Sequence, residues 1–193
     1  MIAGHFGFAA AVKSREPRTP LWALMLATVW LDVVFIPLLL TGIETIQPVD
    51  PAHTGYGANI IHADYTHSIL GVIILSATLG LPAALLWGRR SGVVVGLVVA
   101  SHWLLDLFVH HSDMPILPAN IGNLPRLGLG LWRYPEVSAV IELALVLIGG
   151  WLYWNTAKRV VKSAGRGRVA ANTSACLIVI FGVLVLWMDF TGA

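Results

Sequence analysis

The chain has 193 residues, of which 57% are hydrophobic and 11% charged, and a formal net charge of +2. Continuous apolar runs in a chain with so few charges exclude a soluble globular domain and predict membrane-spanning helices; the absence of period-two alternation argues against a β-barrel. The near-neutral charge gives no footing for nucleic acid, and the lone cysteine, Cys176, which excludes an intrachain disulfide, is expected to pack inside an apolar run.

The predicted fold is all-α: one polytopic transmembrane helix bundle over residues 1–193, with five full spans and a short N-terminal apolar helix. Met1 to Val12 is apolar and is followed by Lys13, Arg15 and Arg18. A secretory signal carries its positive charges ahead of the apolar stretch, so this segment is expected to be retained as a half-length or tilted helix. It contains His5, whose meaning depends on where it points. Leu21 to Thr41 is long enough to span, with Asp32 in its outer half and Pro37 beyond it, where a lost backbone donor predicts a kink. An aspartate at that depth needs a partner.

The loop from Gly42 to Tyr65 contains Glu44, Asp50 and Asp64 but no Lys or Arg, and its His53 is expected to be solvated. It ends in H-A-D-Y-T-H-S, which brings His62, Asp64 and His67 to the mouth of the next span and offers Ser68 as a helix cap or first-turn residue. Ile69 to Trp87, broken by Gly80 and Pro82, leads through Gly88-Arg89-Arg90 into Ser91 to Val109. Gly88, Gly92, Gly96 and Ala100 form a stripe of small residues that admits another helix closely. On roughly the opposite side runs S-H-W-L-L-D-L-F-V-H-H-S-D, in which His102, Asp106 and His110 share one helical face and Asp113 follows. Imidazole nitrogens and carboxylate oxygens stacked in this way suit zinc, manganese or iron, whereas a single His–Asp pair reads more plainly as a structural hydrogen bond.

The second long loop, His111 to Pro135, carries G-L-G-L-W from Gly128 to Trp132, a string that suits the bilayer interface or a dip back into it and is expected as an aromatic anchor rather than a substrate contact. Glu136 to Trp154 spans again with Glu142 inside it. A basic link of Lys158, Arg159, Lys162, Arg166 and Arg168 follows, and Ala170 to Trp187, ending at Asp189, is expected to serve packing. Ten of the twelve Lys and Arg residues fall in loops on one side, which the positive-inside rule places in the cytoplasm of a bacterial inner membrane, with the long acidic loop outside. Counting a rise of about 1.5 Å per residue from the nearest basic residue puts Asp32, His102, Asp106 and Glu142 about 18–24 Å up, His67 and His110 near 30 Å, and His5 at about 12 Å. Six polar groups from four helices therefore share the outer half of the membrane, as around a cavity opening outward.

The N-terminal G-H, an Asp late in the first long span, T-H-S opening the next and S-H-x-x-x-D on the following helix together resemble the predicted membrane-bound metal-dependent hydrolases of bacterial inner membranes, over the chain as far as Pro115. Locally, His102 with Asp106 is also similar to the metal-binding helix of zinc-dependent phospholipase C. The resemblance implies a metal site at His5, Asp32, His67, His102 and Asp106. This chain has Asp32-Val33-Val34-Phe35 where that family has D-x-D-H, and Asp64, His110 and Asp113 are the groups available to replace the missing ligands, with Asp64 and His110 the candidate catalytic residues. A divalent metal there, zinc first, would supply hydroxide for hydrolysis of a phosphate ester or an amide, and the apolar setting suggests a lipid or lipid-linked substrate. Rival readings are an ion- or proton-coupled transporter using the same groups, a b-type haem protein ligated by His67 and His110, and a structural or partner-binding subunit. Oligomeric state is open: the glycine stripe suits a dimer as well as an internal contact.

Overall fold

A computed structural model describes residues 1–49, 54–164 and 169–192. His53 and the Arg166 and Arg168 of the basic link lie outside the described residues. The regular structure is almost wholly helical: α1 (Ile2–Arg15), α2 (Leu21–Thr28), α3 (Trp30–Leu40), α4 (Ile69–Trp87), α5 (Arg89–Val109), α6 (Pro135–Ser163) and α7 (Val169–Thr191). Among the described residues, helices α4 to α7 are each long and apolar enough to cross a membrane, and α2 with α3, a pair bent by 48°, makes one more if the two form a single broken span.

That bend corrects the expectation that the segment from Leu21 to Thr41 kinks at Pro37. The helix breaks at Val29 (φ −115°, ψ 14°), ahead of Asp32, while Pro37 sits within α3. No Gly or Pro stands at the break, so its cause is tertiary. His102 Nδ1 donates to the Thr28 carbonyl at 2.7 Å, the Thr28 hydroxyl donates to the carbonyl of His5 at 3.0 Å, and Trp30 Nε1 donates to Thr78 Oγ1 on α4 at 2.9 Å. Each of these bonds draws the chain at Thr28 to Trp30 away from a straight helical path.

Helix α4 likewise runs unbroken past Gly80 and Pro82, where an interruption was expected. Its Gly80 lies against the backbone of Gly92 and Gly96, so the small-residue stripe of α5 is filled by α4 within the chain. Close helix contact of this kind tolerates the backbone bond that Pro82 removes. Ser68 caps α4, its hydroxyl accepting from Gly71 N at 3.0 Å, and Gly88 (φ +91°) makes the turn into α5. Helix α6 extends beyond the expected Trp154 through its basic residues to Ser163. At about 1.5 Å per residue it measures roughly 43 Å, well over a hydrocarbon core of about 30 Å.

The loop after α3 is not wholly irregular. Thr45–Pro48 (β1) and Asn59–His62 (β2) pair antiparallel, with Ile46 opposite Ile61. β-Branched residues on both sides favour this pleated ribbon. Cys176 is exposed on α7 rather than packed.

Helix α1 docks on α6 through backbone. A Cβ on Gly7 would strike the backbone of Leu145 and Val146, and one on Gly149 would strike the carbonyl of Gly7. Gly149→Ala is therefore expected to destabilise the bundle by about 1–3 kcal/mol, the usual cost of overpacking. Thermal unfolding in detergent should show a lower Tm, whereas Gly96→Ala, whose Cβ would meet nothing nearer than 3.4 Å, should leave Tm unchanged.

Candidate metal centre

The polar face of α5 turns away from α4 and presents His102 and Asp106, both buried, to α1 and α3. His102 is oriented from behind. Because a carbonyl only accepts, its bond to Thr28 puts a proton on Nδ1, so that in the neutral imidazole the Nε2 lone pair faces the centre. His67 is held the same way. Its Nδ1 lies 2.9 Å from the Thr66 hydroxyl, and that hydroxyl is 3.1 and 3.0 Å from the two oxygens of buried Glu44. The hydroxyl donates to the carboxylate and accepts from the imidazole. His110, the residue that ends α5 rather than part of its last turn, has Nδ1 3.1 Å from Asp113 Oδ1. Three imidazoles thus have an acceptor at Nδ1 and, when neutral, a lone pair on Nε2.

These lone pairs face carboxylates. His102 Nε2 is 3.0 Å from Asp106 Oδ2 and 3.5 Å from Asp32 Oδ1; His67 Nε2 is 3.7 Å from Asp32 Oδ1, 3.8 Å from Asp106 Oδ2 and 3.3 Å from His102 Nε2. Acceptors turned on one another at such distances, largely out of water, repel unless a cation or a proton lies between them. The spacing also fits a metal. A tetrahedron with bonds of about 2.0–2.1 Å has edges of about 3.3–3.4 Å, and the five separations just given run from 3.0 to 3.8 Å. Among the described residues, two overlapping groups of possible ligands share His102: one with Asp32 and His67, the other with His5 and Asp106.

His5 joins the cluster despite its lower expected depth. Its ring stacks on that of His102 with centroids 3.9 Å apart, and its Nε2 lies 3.0 Å from Asp106 Oδ1. The depth count began at Lys13, which is the wrong level. Arg90 on α5 pairs with buried Glu16 at 2.6 Å, and from that pair His5 and His102 are eleven and twelve residues away. His5 Nδ1 is buried with no hydrogen-bond partner among the described residues.

The other expected groups are placed differently. Asp64 does not face the histidines. Its carboxylate is clamped by Arg126 at 2.6 and 3.0 Å, and the same guanidinium donates to the Asp113 carbonyl at 2.8 Å, tying the two long loops together. The bond to the Asp64 carboxylate raises the Arg126 pKa further. Glu142 is buried at a similar level but turned to Gly4 N (3.0 Å) and to the Tyr56 hydroxyl, so it anchors α1 and the first loop. Burial and the nearby Glu142 push the Tyr56 phenol up, keeping it a donor. Asp113 Oδ2 accepts from Ile61 N at 3.0 Å, linking β2 to His110. Trp132 is no interface anchor: it is buried, its ring 4.4 Å from that of His110.

A cavity of about 220 Å³ opens over the cluster, lined by His5, Asp32, Phe35, His67, Asp106, His110 and Trp132 among others. Thr28, Glu44 and Thr66 were missed as members of the site. Thr66 lay within the T-H-S string, and Glu44 was the acid nearest the end of a span, a signal that it would be drawn inward. Burial pushes the Glu44 carboxyl up, against the lowering effect of bonds from Thr66 and Tyr65. Compared with known protein families, curated proteins and solved structures, the chain finds no significant match.

Asp64→Asn is expected to loosen the loops, at a cost of about 1.5–3 kcal/mol for the charged hydrogen bonds lost. Hydrogen exchange read by mass spectrometry should quicken between Asp113 and Leu127, with the cluster itself intact.

Proposed function

We propose that this chain is a membrane-embedded, metal-dependent hydrolase with a divalent ion, preferably zinc, held by His67, His102, Asp32 and Asp106. The observation that carries the reading is the convergence of imidazole lone pairs, each set by an acceptor on the far nitrogen, upon two carboxylates. Metal-ligating histidines are oriented in this way by the groups behind them. The resemblance of the G-H, T-H-S and S-H-x-x-x-D strings to the predicted membrane-bound hydrolases supports the same conclusion. In this reading α2 and α3 form a fifth, broken span, the basic ends face the cytoplasm of a bacterial inner membrane, and the cavity opens outward.

When bound, such an ion lowers the pKa of a coordinated water toward neutrality and polarises a carbonyl. The chain's own residues supply the rest. His5 donates from Nε2 to Asp106 and orients it. His110, with Asp113 on Nδ1 and Nε2 3.7 Å from Asp106, stands at the cavity wall as the group to take a proton from water. Trp132 Nε1, buried and without a hydrogen-bond partner among the described residues, is a donor for a substrate oxygen. The cavity lining includes Asp32, Asp106 and Asp189 and, among the described residues, no Lys or Arg, which favours a carboxylic ester or amide of a lipid over a phosphate. Phe35 and Ile61 give its wall an apolar side for a chain.

A second reading, an ion- or proton-coupled transporter, is favoured by one observation, the broken helix whose second half begins just before Asp32. Proton or cation flux in proteoliposomes, with no hydrolysis of any lipid ester or amide, would select it.

Metal analysis of detergent-purified protein is expected to find stoichiometric zinc, manganese or iron, absent from a folded His102→Ala/Asp106→Ala variant; no metal in either protein after reconstitution would overturn the proposal. Thr66→Val should weaken metal affinity by about 10–100-fold through loss of the His67 orientation. Because the imidazoles must be neutral to bind, affinity should fall as the pH is lowered. His110→Ala should keep the metal and lose roughly 10²–10⁴-fold in hydrolysis of fluorogenic lipid ester or amide substrates.

A further inference from the structure

A second polar feature lies at the opposite end of the molecule. Where the last turn of α1 meets the C-terminal third of α6, a groove of about 860 Å³ is lined by the cations Arg15, Lys158, Arg159 and Lys162 and by the apolar Trp151 and Leu152. No Asp or Glu lines it among the described residues. Glu16, next in sequence to Arg15, is buried and paired with Arg90, so it does not neutralise the groove. Lys158 Nζ stands 3.3 Å over the centroid of the Trp154 ring, an arrangement common where a helix leaves the hydrocarbon for the headgroup layer.

We infer that this groove binds the headgroup of an anionic phospholipid. The level and the lining select that occupant. Helix α6 exceeds the hydrocarbon thickness by about 13 Å, so its last turns lie among lipid headgroups. Four cations converge there on a space with an indole and a leucine along one side, suited to a phosphate with acyl chains descending beside it. A soluble anion would use the charges and leave the apolar side wet. Basic pockets between helices on the cytoplasmic side are a known form of lipid recognition, each cation contributing about 1 kcal/mol, or roughly fivefold in affinity. This inference stands apart from the metal centre, and neither depends on the other.

The test uses the full chain reconstituted in phosphatidylcholine vesicles with and without phosphatidylglycerol, together with native mass spectrometry of retained lipids. The wild-type protein should gain Tm with phosphatidylglycerol and keep at least one phosphatidylglycerol adduct. A Lys158→Gln/Arg159→Gln/Lys162→Gln variant should lose the adduct by about fivefold for each charge removed. An Arg18→Gln/Arg89→Gln control, exposed cations of the same end outside the groove, should keep it. Equal loss in the control would show diffuse attraction only and overturn the inference. Protection by inorganic phosphate equal to that by phosphatidylglycerol would assign the groove to a soluble anion instead. Should the triple variant fail to fold, the wild-type comparison of the two vesicle compositions still decides: no gain in Tm and no adduct would overturn the site.

Discussion

Four imidazoles gather around the carboxylate of Asp106, and the protons of at least three are committed elsewhere. His102 gives its Nδ1 proton to the Thr28 carbonyl, His67 to the Thr66 hydroxyl and His110 to Asp113. What faces the centre, with the imidazoles neutral, is a set of acceptors turned toward one another at 3.0–3.8 Å. In water such a cluster would be harmless, but buried among apolar helices it demands a cation or a proton between its members. The rest of the structure is arranged to keep these groups together in spite of that repulsion.

The means are backbone contacts between helices. Gly7 and Gly149 let α1 lie on α6, so that His5 reaches Asp106, and Gly80, Gly92 and Gly96 let α4 lie on α5, so that His67 at the head of α4 meets His102. The Arg90–Glu16 pair sets the height of α1 against α5. The break at Val29 has a role beyond turning the chain: it leaves the Thr28 carbonyl to accept from His102 and directs α3 so that Asp32 closes the group. Above the cluster, Asp113 and the Asp64–Arg126 pair bind the two long loops into a roof. A helix ladder alone would not hold such a roof; charged hydrogen bonds do.

Much of this was legible in the chain. The apolar runs marked α4 to α7, and the i, i+4 spacing of His102 and Asp106 on the face opposite the glycine stripe was visible without coordinates. Features set by tertiary contact were not. The break at Val29 has neither Gly nor Pro to announce it, whereas Gly80 and Pro82 announced an interruption that packing against α5 suppresses. Asp64, three positions before His67, stood as a replacement ligand and catalytic candidate, yet Arg126, 62 positions away, takes it. The height of His5 was misjudged because Lys13 served as the reference when Glu16, turned inward to meet Arg90, marks the level. Sequence spacing finds residues on one helix; it does not say which carbonyl or hydroxyl from another element will fix a proton, and here those groups decide the chemistry.

The most direct test of a metal centre built on these histidines is X-ray absorption at the zinc edge on protein loaded with one equivalent of zinc. The expected spectrum shows nitrogen or oxygen neighbours at about 2.0–2.1 Å with the outer-shell scattering of at least two imidazoles, lost in His102→Ala/Asp106→Ala. A spectrum of hydrated zinc without imidazole scattering, or one unchanged by the substitutions, would contradict it.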